Sequence, residues 1–170
     1  RNVSVEQAAA LRQAATGKAL AVAVSVDASD EALDAIVSGM QPDMLQLHGH
    51  ETPERVAAVK SRFGLPVMKA ISIRERSDLD QVAPFIGIAD KFLLDAKAPK
   101  GSELPGGNGV SFDWTLLSAL DPSFDYMLSG GLNADNVAAA LALTNAPGLD
   151  ISSGVESAPG IKDIDLINRF

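Results

Sequence analysis

Carboxylates and glycine turns stand at the ends of apolar runs in this chain, a pattern suited to acid catalysis beside a bound anion. Phe92-Leu93-Leu94 leads into Asp95, so an apolar strand would deliver a carboxyl group to its own end. Partial burial disfavours the charged form of a carboxyl group, and that is the setting in which one donates a proton near neutrality. The plainer role is a surface Asp capping the next turn. Asp150, in Gly148-Leu149-Asp150-Ile151, has a similar apolar setting. There it would either tie down the neighbouring glycine turn or accept a ligand N–H.

Ser129-Gly130-Gly131 and Ser152-Ser153-Gly154 also follow apolar runs. Glycine lets the backbone approach a ligand with no Cβ in the way, and a helix starting just beyond offers unpaired N–H groups with partial positive charge. Such a turn suits an anion, most often phosphate, although a single one is as readily a plain tight turn. Two from successive strands make Gly130, Gly131, Ser153 and Gly154 phosphate candidates. Gly107, in the third cluster Gly106-Gly107-Asn108-Gly109, joins them as part of a loop that either closes over the ligand or is a solvated turn. His48 ends the run Leu45-Gln46-Leu47 one residue before a glycine. It is a candidate ligand contact, set against a role in satisfying local backbone groups. His50 reads as exposed and Trp114 as a packing residue.

Positioning these residues requires regularly spaced strands. Apolar, β-branched runs predict strands over 19–26, 43–47, 66–71, 91–94, 126–128 and 148–151. Between them, helices are predicted over 5–15, where Ser4 and Gln7 form a capping box, over 30–38, and over 53–61 after Thr52-Pro53. Later helices begin near Ser77, Phe112, Ala134 and Lys162. Strand starts recur roughly every 22 to 25 residues, with one gap of about 35, the scale of a repeated strand-helix unit. The long gap holds the Pro- and Gly-rich loop over 96–111. Alternating units of this kind give a parallel sheet, open or closed into an eight-stranded barrel, with Asp27, His48, Asp95 and both glycine turns at its carboxyl end. Periodicity alone leaves open sheet and barrel equally available.

Composition narrows the partners. The 170 residues carry a net charge of −8 with 46% hydrophobic residues, so there is no basic footprint for nucleic acid or an anionic membrane. No apolar run reaches the ~18 residues of a membrane span, and a cytoplasmic location is the expectation. Without cysteine there is no disulfide, thiolate metal site or Cys nucleophile within these residues, and the chain begins at Arg1 rather than Met. One domain over 1–170 is expected.

In their order and spacing, Leu45-Gln46-Leu47-His48-Gly49, Leu93-Leu94-Asp95-Ala96-Lys97, the cluster over 106–109, Phe112-Asp113-Trp114, the stretch 128–137 and the stretch 149–163 resemble the phosphoribosylanthranilate isomerases of tryptophan biosynthesis. The resemblance spans nearly the whole chain. It implies a TIM (β/α)8 barrel and an Amadori rearrangement of N-(5'-phosphoribosyl)anthranilate to 1-(o-carboxyphenylamino)-1-deoxyribulose 5-phosphate, with no cofactor. It implies Asp95 as general acid on the ribose ring oxygen and Asp150 at the anthranilate amine. Gly130, Gly131, Ser153 and Gly154 fall on the phosphate turns, and Arg1 on the arginine that pairs with the anthranilate carboxylate. The family's general base is a cysteine on a first strand, and its members carry a strand-helix-strand block, about 30 residues, ahead of the point matching Arg1. Six strands here plus two there make eight, so the chain is expected to be inactive without that block. Its partner would be a small phosphorylated substrate, with a monomer or homodimer expected. Two rivals stay open: another phosphosugar barrel of tryptophan or histidine biosynthesis, and an α/β fragment that binds a phosphorylated ligand without turning it over.

Overall fold

A computed structural model describes residues 2–96, 111–121 and 123–170. The chain divides into two compact units, Arg1–Ala70 with Pro84–Lys91, and Ile71–Ala83 with Phe92–Phe170.

In the first unit, α1 (Val5–Ala15), β1 (Val22–Ser25), α2 (Asp30–Met40), β2 (Met44–Leu47) and α3 (Pro53–Phe63) lead into β3 (Val67–Ile73). Each helix starts where its sequence supplies an acceptor for orphan amides. Ser4 and Gln7 bond reciprocally, Ser29 takes the amide of Ala32, and Thr52 takes that of Arg55 ahead of Pro53. Strands β1, β2 and β3 pair in parallel, with Val24 opposite Gln46 and Leu47 opposite Lys69. Leu33, Leu45, Leu47, Val56, Val59 and Val67 are almost wholly buried around them.

The entry ends of these strands repeat one device. Asp43, just before β2, accepts the amide of Ala21 at 2.7 Å and pairs with Arg12 of α1 at 2.9 Å. Asp90 accepts the amide of Val67 at 2.9 Å and pairs with Lys60 of α3 at 2.7 Å. Burial pushes the Asp90 carboxyl up, but the bonds from Lys60 and Val67 outweigh it and leave its pKa below the usual value.

The second unit contains a 3-10 helix over Arg76–Gln81, capped by the buried Asp78, whose Oδ2 takes the amides of Arg74 and Glu75 at 2.8 and 3.0 Å. Strand β4 (Lys91–Ala96) is followed beyond the undescribed 97–110 by a 3-10 helix over Trp114–Ala119, then β5 (Tyr126–Leu128), α4 (Val137–Thr144) and β6 (Gly148–Leu149). Strands β4, β5 and β6 pair in parallel, with Leu94 opposite Leu128 and Leu128 opposite Leu149. Leu93, Leu94 and Leu128 are fully buried, so both faces of these strands are covered, as parallel strands between helices require. A hairpin of β7 (Glu156–Ala158) and β8 (Ile161–Lys162) precedes α5 (Ile164–Arg169).

Two sequence expectations change. The helices predicted near Ser77 and Phe112 are 3-10 turns, and Pro84, which lacks the N–H and the room to continue an α-helix, limits how far the first could extend. Asp95 lies inside its strand, not past it, because β4 runs on through Ala96.

Candidate functional site

Most of the expected site residues fall in the second unit. Asp95 is 4% exposed, held on β4 among fully buried leucines. The amide of Ser129 donates to Leu94 O at 2.8 Å, extending the ladder one step past β5. Ser129 is itself buried, and its Oγ donates to Asp150 Oδ2 at 2.8 Å while the Asp150 amide donates to Leu128 O at 2.8 Å. Asp150 is thus fixed just beyond β6 with one carboxylate oxygen engaged by the residue that opens the glycine turn.

Gly130 (φ +94°) and Gly131 (φ +65°) both take left-handed backbone. A Cβ on Gly130 would stand 2.5 Å from Ala96 Cβ and 2.6 Å from Ala96 N, so this turn runs too close to the end of β4 for any side chain. The other turn packs against it: a Cβ on Gly154 would overlap the carbonyl oxygen of Leu132. The two glycine turns expected from the sequence are therefore in contact. The structure corrects what lies beyond them. Helix α4 starts only at Val137, and Asn133 Oδ1 already takes the amides of Asp135 and Asn136 at 2.9 and 3.2 Å. Asn136 in turn accepts the Asn133 amide and donates to Gly131 O, both at 2.9 Å. At the first turn an anion would meet the glycines themselves rather than a helix end, whereas the second turn is itself a short 3-10 helix, Ser153–Val155. On the other turn, Lys162 donates to Ser152 O at 2.8 Å and to Glu156 at 3.0 Å, so the β7–β8 hairpin straps the segment carrying Ser153 and Gly154.

In the first unit His48 is half-buried just past β2, its amide donating to Ser25 O at 2.8 Å. Gln46 Nε2 lies 2.9 Å from His48 Nδ1; with the amide donating, the ring carries its proton on Nε2. Lys69 and Glu51, both buried, meet beneath this turn at 3.0 Å. None of the three was among the sequence candidates. Gln46 had a signal, since it lies two residues before His48 and so on the same face of the strand. His50 is exposed as expected, its ring 98% accessible. Trp114 is half-buried, and its indole Nε1 is buried without a hydrogen-bond partner among the described residues. Arg1 and Gly107 lie outside the described residues. Among the described residues no group of three His, Cys, Asp or Glu could hold a metal ion, and no helix is long and apolar enough to cross a membrane.

The comparisons with known proteins agree with one another. The family model described as N-(5'phosphoribosyl)anthranilate (PRA) isomerase matches residues 1–170. The N-(5'-phosphoribosyl)anthranilate isomerase of Brucella canis is 69% identical over 170 residues, all of this chain and 77% of that protein. The crystal structure of phosphoribosyl anthranilate isomerase from Thermotoga maritima matches 99% of this chain and 78% of its own, with a TM-score of 0.86 and 32% identity. A second structure, of a phosphoribosyl anthranilate isomerase in complex with reduced 1-(o-carboxyphenylamino)-1-deoxyribulose 5-phosphate, is matched over 99% of this chain and 77% of its own, with a TM-score of 0.82 and 30% identity. The fold is accordingly the α/β TIM (β/α)8 barrel, with six of its parallel strands among the described residues.

Proposed function

This chain belongs to the N-(5'-phosphoribosyl)anthranilate isomerase family, which serves tryptophan biosynthesis, and from that premise we propose how its residues divide the reaction. The function is an isomerisation, an Amadori rearrangement of aminoaldose to aminoketose. Asp95 is the general acid. Proton transfer to the furanose ring oxygen lets the C1'–O bond break as the anthranilate nitrogen forms an iminium ion, and loss of the C2' proton then leads to the ketose. A buried carboxyl on a rigid strand suits the first transfer, because its geometry is set before substrate arrives.

The substrate phosphate sits in the turns of Gly130, Gly131, Ser153 and Gly154, where backbone N–H groups supply the donors. Asp150, anchored through Oδ2 by Ser129, keeps Oδ1 for the anthranilate amine. Arg1 pairs with the anthranilate carboxylate, Gly107 joins the phosphate turns, and His48 contacts substrate; Arg1 rests on the family resemblance, Gly107 and His48 on loop position in the sequence. These 170 residues contain no cysteine, the family's general base, so removal of the C2' proton is assigned to no residue here. A cytoplasmic enzyme, monomeric or homodimeric and acting on a small phosphorylated substrate, completes the proposal.

The observation that carries this reading is the contact between the two glycine turns, both closed to side chains, in the unit that also buries Asp95. The test is Asp95→Asn in a protein that also carries the family's strand-helix-strand block ahead of these residues, followed by loss of anthranilate-type fluorescence as substrate is consumed. Turnover should fall by about 10²–10⁴, as removal of a general acid does, with affinity for the reduced product analogue nearly unchanged. Turnover equal to the parent protein's would remove Asp95 from the mechanism.

A further inference from the structure

We infer that the buried Lys69–Glu51 pair is a positioning device for His48, which holds the peptide groups on both sides of that residue. Lys69 is 3% exposed and Glu51 8%, and the neighbours of Lys69 along its strand, Val67, Met68, Ala70 and Ile71, are all buried and apolar. Removing two charges from water costs as much as their attraction returns, and an apolar pair of similar volume is commonly as stable or more so. Stability therefore does not account for the pair, and its contacts suggest what does. An ammonium has three N–H donors. Lys69 Nζ places them on Leu47 O at 3.3 Å, Gly49 O at 2.8 Å and Glu51 Oε2 at 3.0 Å. The two carbonyls flank His48.

Glu51 acts on the same segment. Its Oε1 and Oε2 accept the Gly49 amide at 3.2 and 3.0 Å, and Oε1 also accepts the Asp27 amide at 3.0 Å. Asp27 then accepts the His50 amide through Oδ1 at 2.6 Å. Gly49 closes the arrangement, since a Cβ there would stand 2.5 Å from Asp27 Cγ and 2.6 Å from Asp27 N. The chain before and after His48 is thereby tied to β3 and to the turn past β1. What freedom remains is in the ring, which Gln46 takes up through Nδ1. Side chains held this way keep a productive geometry without rearrangement on binding.

The value of this for catalysis rests on the reading of His48 as a substrate contact, and the experiment separates the two claims. Lys69→Met alone would strand the Glu51 charge, so the informative variant is Lys69→Met with Glu51→Gln, which keeps an acceptor for the Asp27 and Gly49 amides and releases both carbonyls. Ring nitrogen NMR of His48, with exposed His50 as internal reference, reports the tautomer. In the parent protein His48 should show one tautomer, and in the double variant an averaged signal, with affinity for the reduced product analogue lowered about 10- to 100-fold, the scale of a misplaced contact. A folded double variant whose His48 ring signals match the parent's overturns the inference. His48→Ala tests the other claim: unchanged analogue affinity there would overturn the substrate role while leaving the ring result to stand or fall by itself. Should the double variant not fold, Lys69→Gln with Glu51→Gln, a neutral pair that replaces the ammonium's three donors at 69 with the two of a shorter amide, carries the same NMR measurement.

Discussion

Gly130→Ala puts the close approach of the glycine turn to the end of β4 under direct test. Two costs arise. At φ +94° an L-residue is strained by about 1–2 kcal/mol relative to glycine. The added Cβ would also stand 2.5 and 2.6 Å from Ala96 Cβ and N, atoms fixed to the strand that cannot swing aside, and relieving such overpacking costs a further 1–3 kcal/mol, roughly. The sum is about 2–5 kcal/mol, much of the stability of an ordinary domain. Two controls isolate the terms. Gly64→Ala, at φ +62° with nothing within 4 Å, keeps only the strain and should cost about 1–2 kcal/mol. Gly154→Ala, where no left-handed φ is required but Leu132 O stands in the way, keeps only the overlap. Urea midpoints for the three variants measure the costs, and titration of the folded fraction with a phosphate-bearing analogue measures the function. A displaced turn should lower analogue affinity by about 10- to 100-fold for Gly130→Ala, and not for Gly64→Ala. If Gly130→Ala costs no more than Gly64→Ala, the close approach to Ala96 is wrong, and the phosphate turn loses its main structural support.

Two further expectations follow from charged side chains. Asp90 has its pKa lowered in the folded protein, so the stability it contributes is full above the unfolded carboxylate pKa and is lost as pH falls through the folded value. Because its side chain is 37% exposed, solvent screening keeps that contribution to about 1 kcal/mol or less. Urea midpoints of Asp90→Asn and the parent protein should differ at neutral pH and converge below about pH 4; a gap that persists in acid would refute the ion-pair account. Lys162→Met should release Ser152 O while leaving thermal stability almost unchanged, since the side chain is 46% exposed. Calorimetric titration with inorganic phosphate should show affinity lowered about tenfold, a contribution typical of a charge-assisted hydrogen bond, and equal affinity would mean that the hairpin does not strap the turn.

What was legible in the sequence was whatever a local pattern encodes. Ser4 with Gln7, and Thr52 with Pro53, state their helix starts within four residues, and α1 and α3 begin where those signals stand. The apolar runs located the six parallel strands of the described residues: β2, β3 and β4 are buried along nearly their whole length and need no alternation, whereas β1 is buried only at alternate residues, Ala23 and Ser25. Asp95 read as lying past its strand because a charge usually marks a strand's end, whereas the ladder beside it continues through the Ser129 amide. The contact of Gly154 with Leu132 and the pairing of Lys69 with Glu51 were not legible at all. Glu51 lies in a turn and Lys69 two elements later, and what brings them together is the register that sets Leu47 opposite Lys69. Register is a property of the folded sheet, and a lone lysine in Pro66-Val67-Met68-Lys69 carries no mark of its partner. The β7–β8 hairpin escaped for a simpler reason: strands of three and two residues are too short to show a period.

Within the first unit, polar side chains are sorted by which end of a strand they serve, and the sorting has consequences for mutation. At the entry ends, Asp43 with Arg12 and Asp90 with Lys60 each join a helix to the amide that starts the preceding strand segment. They are partly solvated, so losing one partner leaves the other in reach of water and costs little. At the exit ends, Lys69 and Glu51 are dry, and their hydrogen bonds among the described residues fall on the end of β2 and on the turns past β1 and β2. Losing one there strands a buried charge. A barrel keeps its chemistry at strand exits and its stability at strand entries. The costly polar pair is thus spent where backbone position matters to a ligand, and the inexpensive pairs where only cohesion is needed. Substitutions at Arg12, Asp43, Lys60 or Asp90 should therefore move the unfolding midpoint in proportion to any loss of activity, whereas exchanging Lys69 and Glu51 together should separate the two.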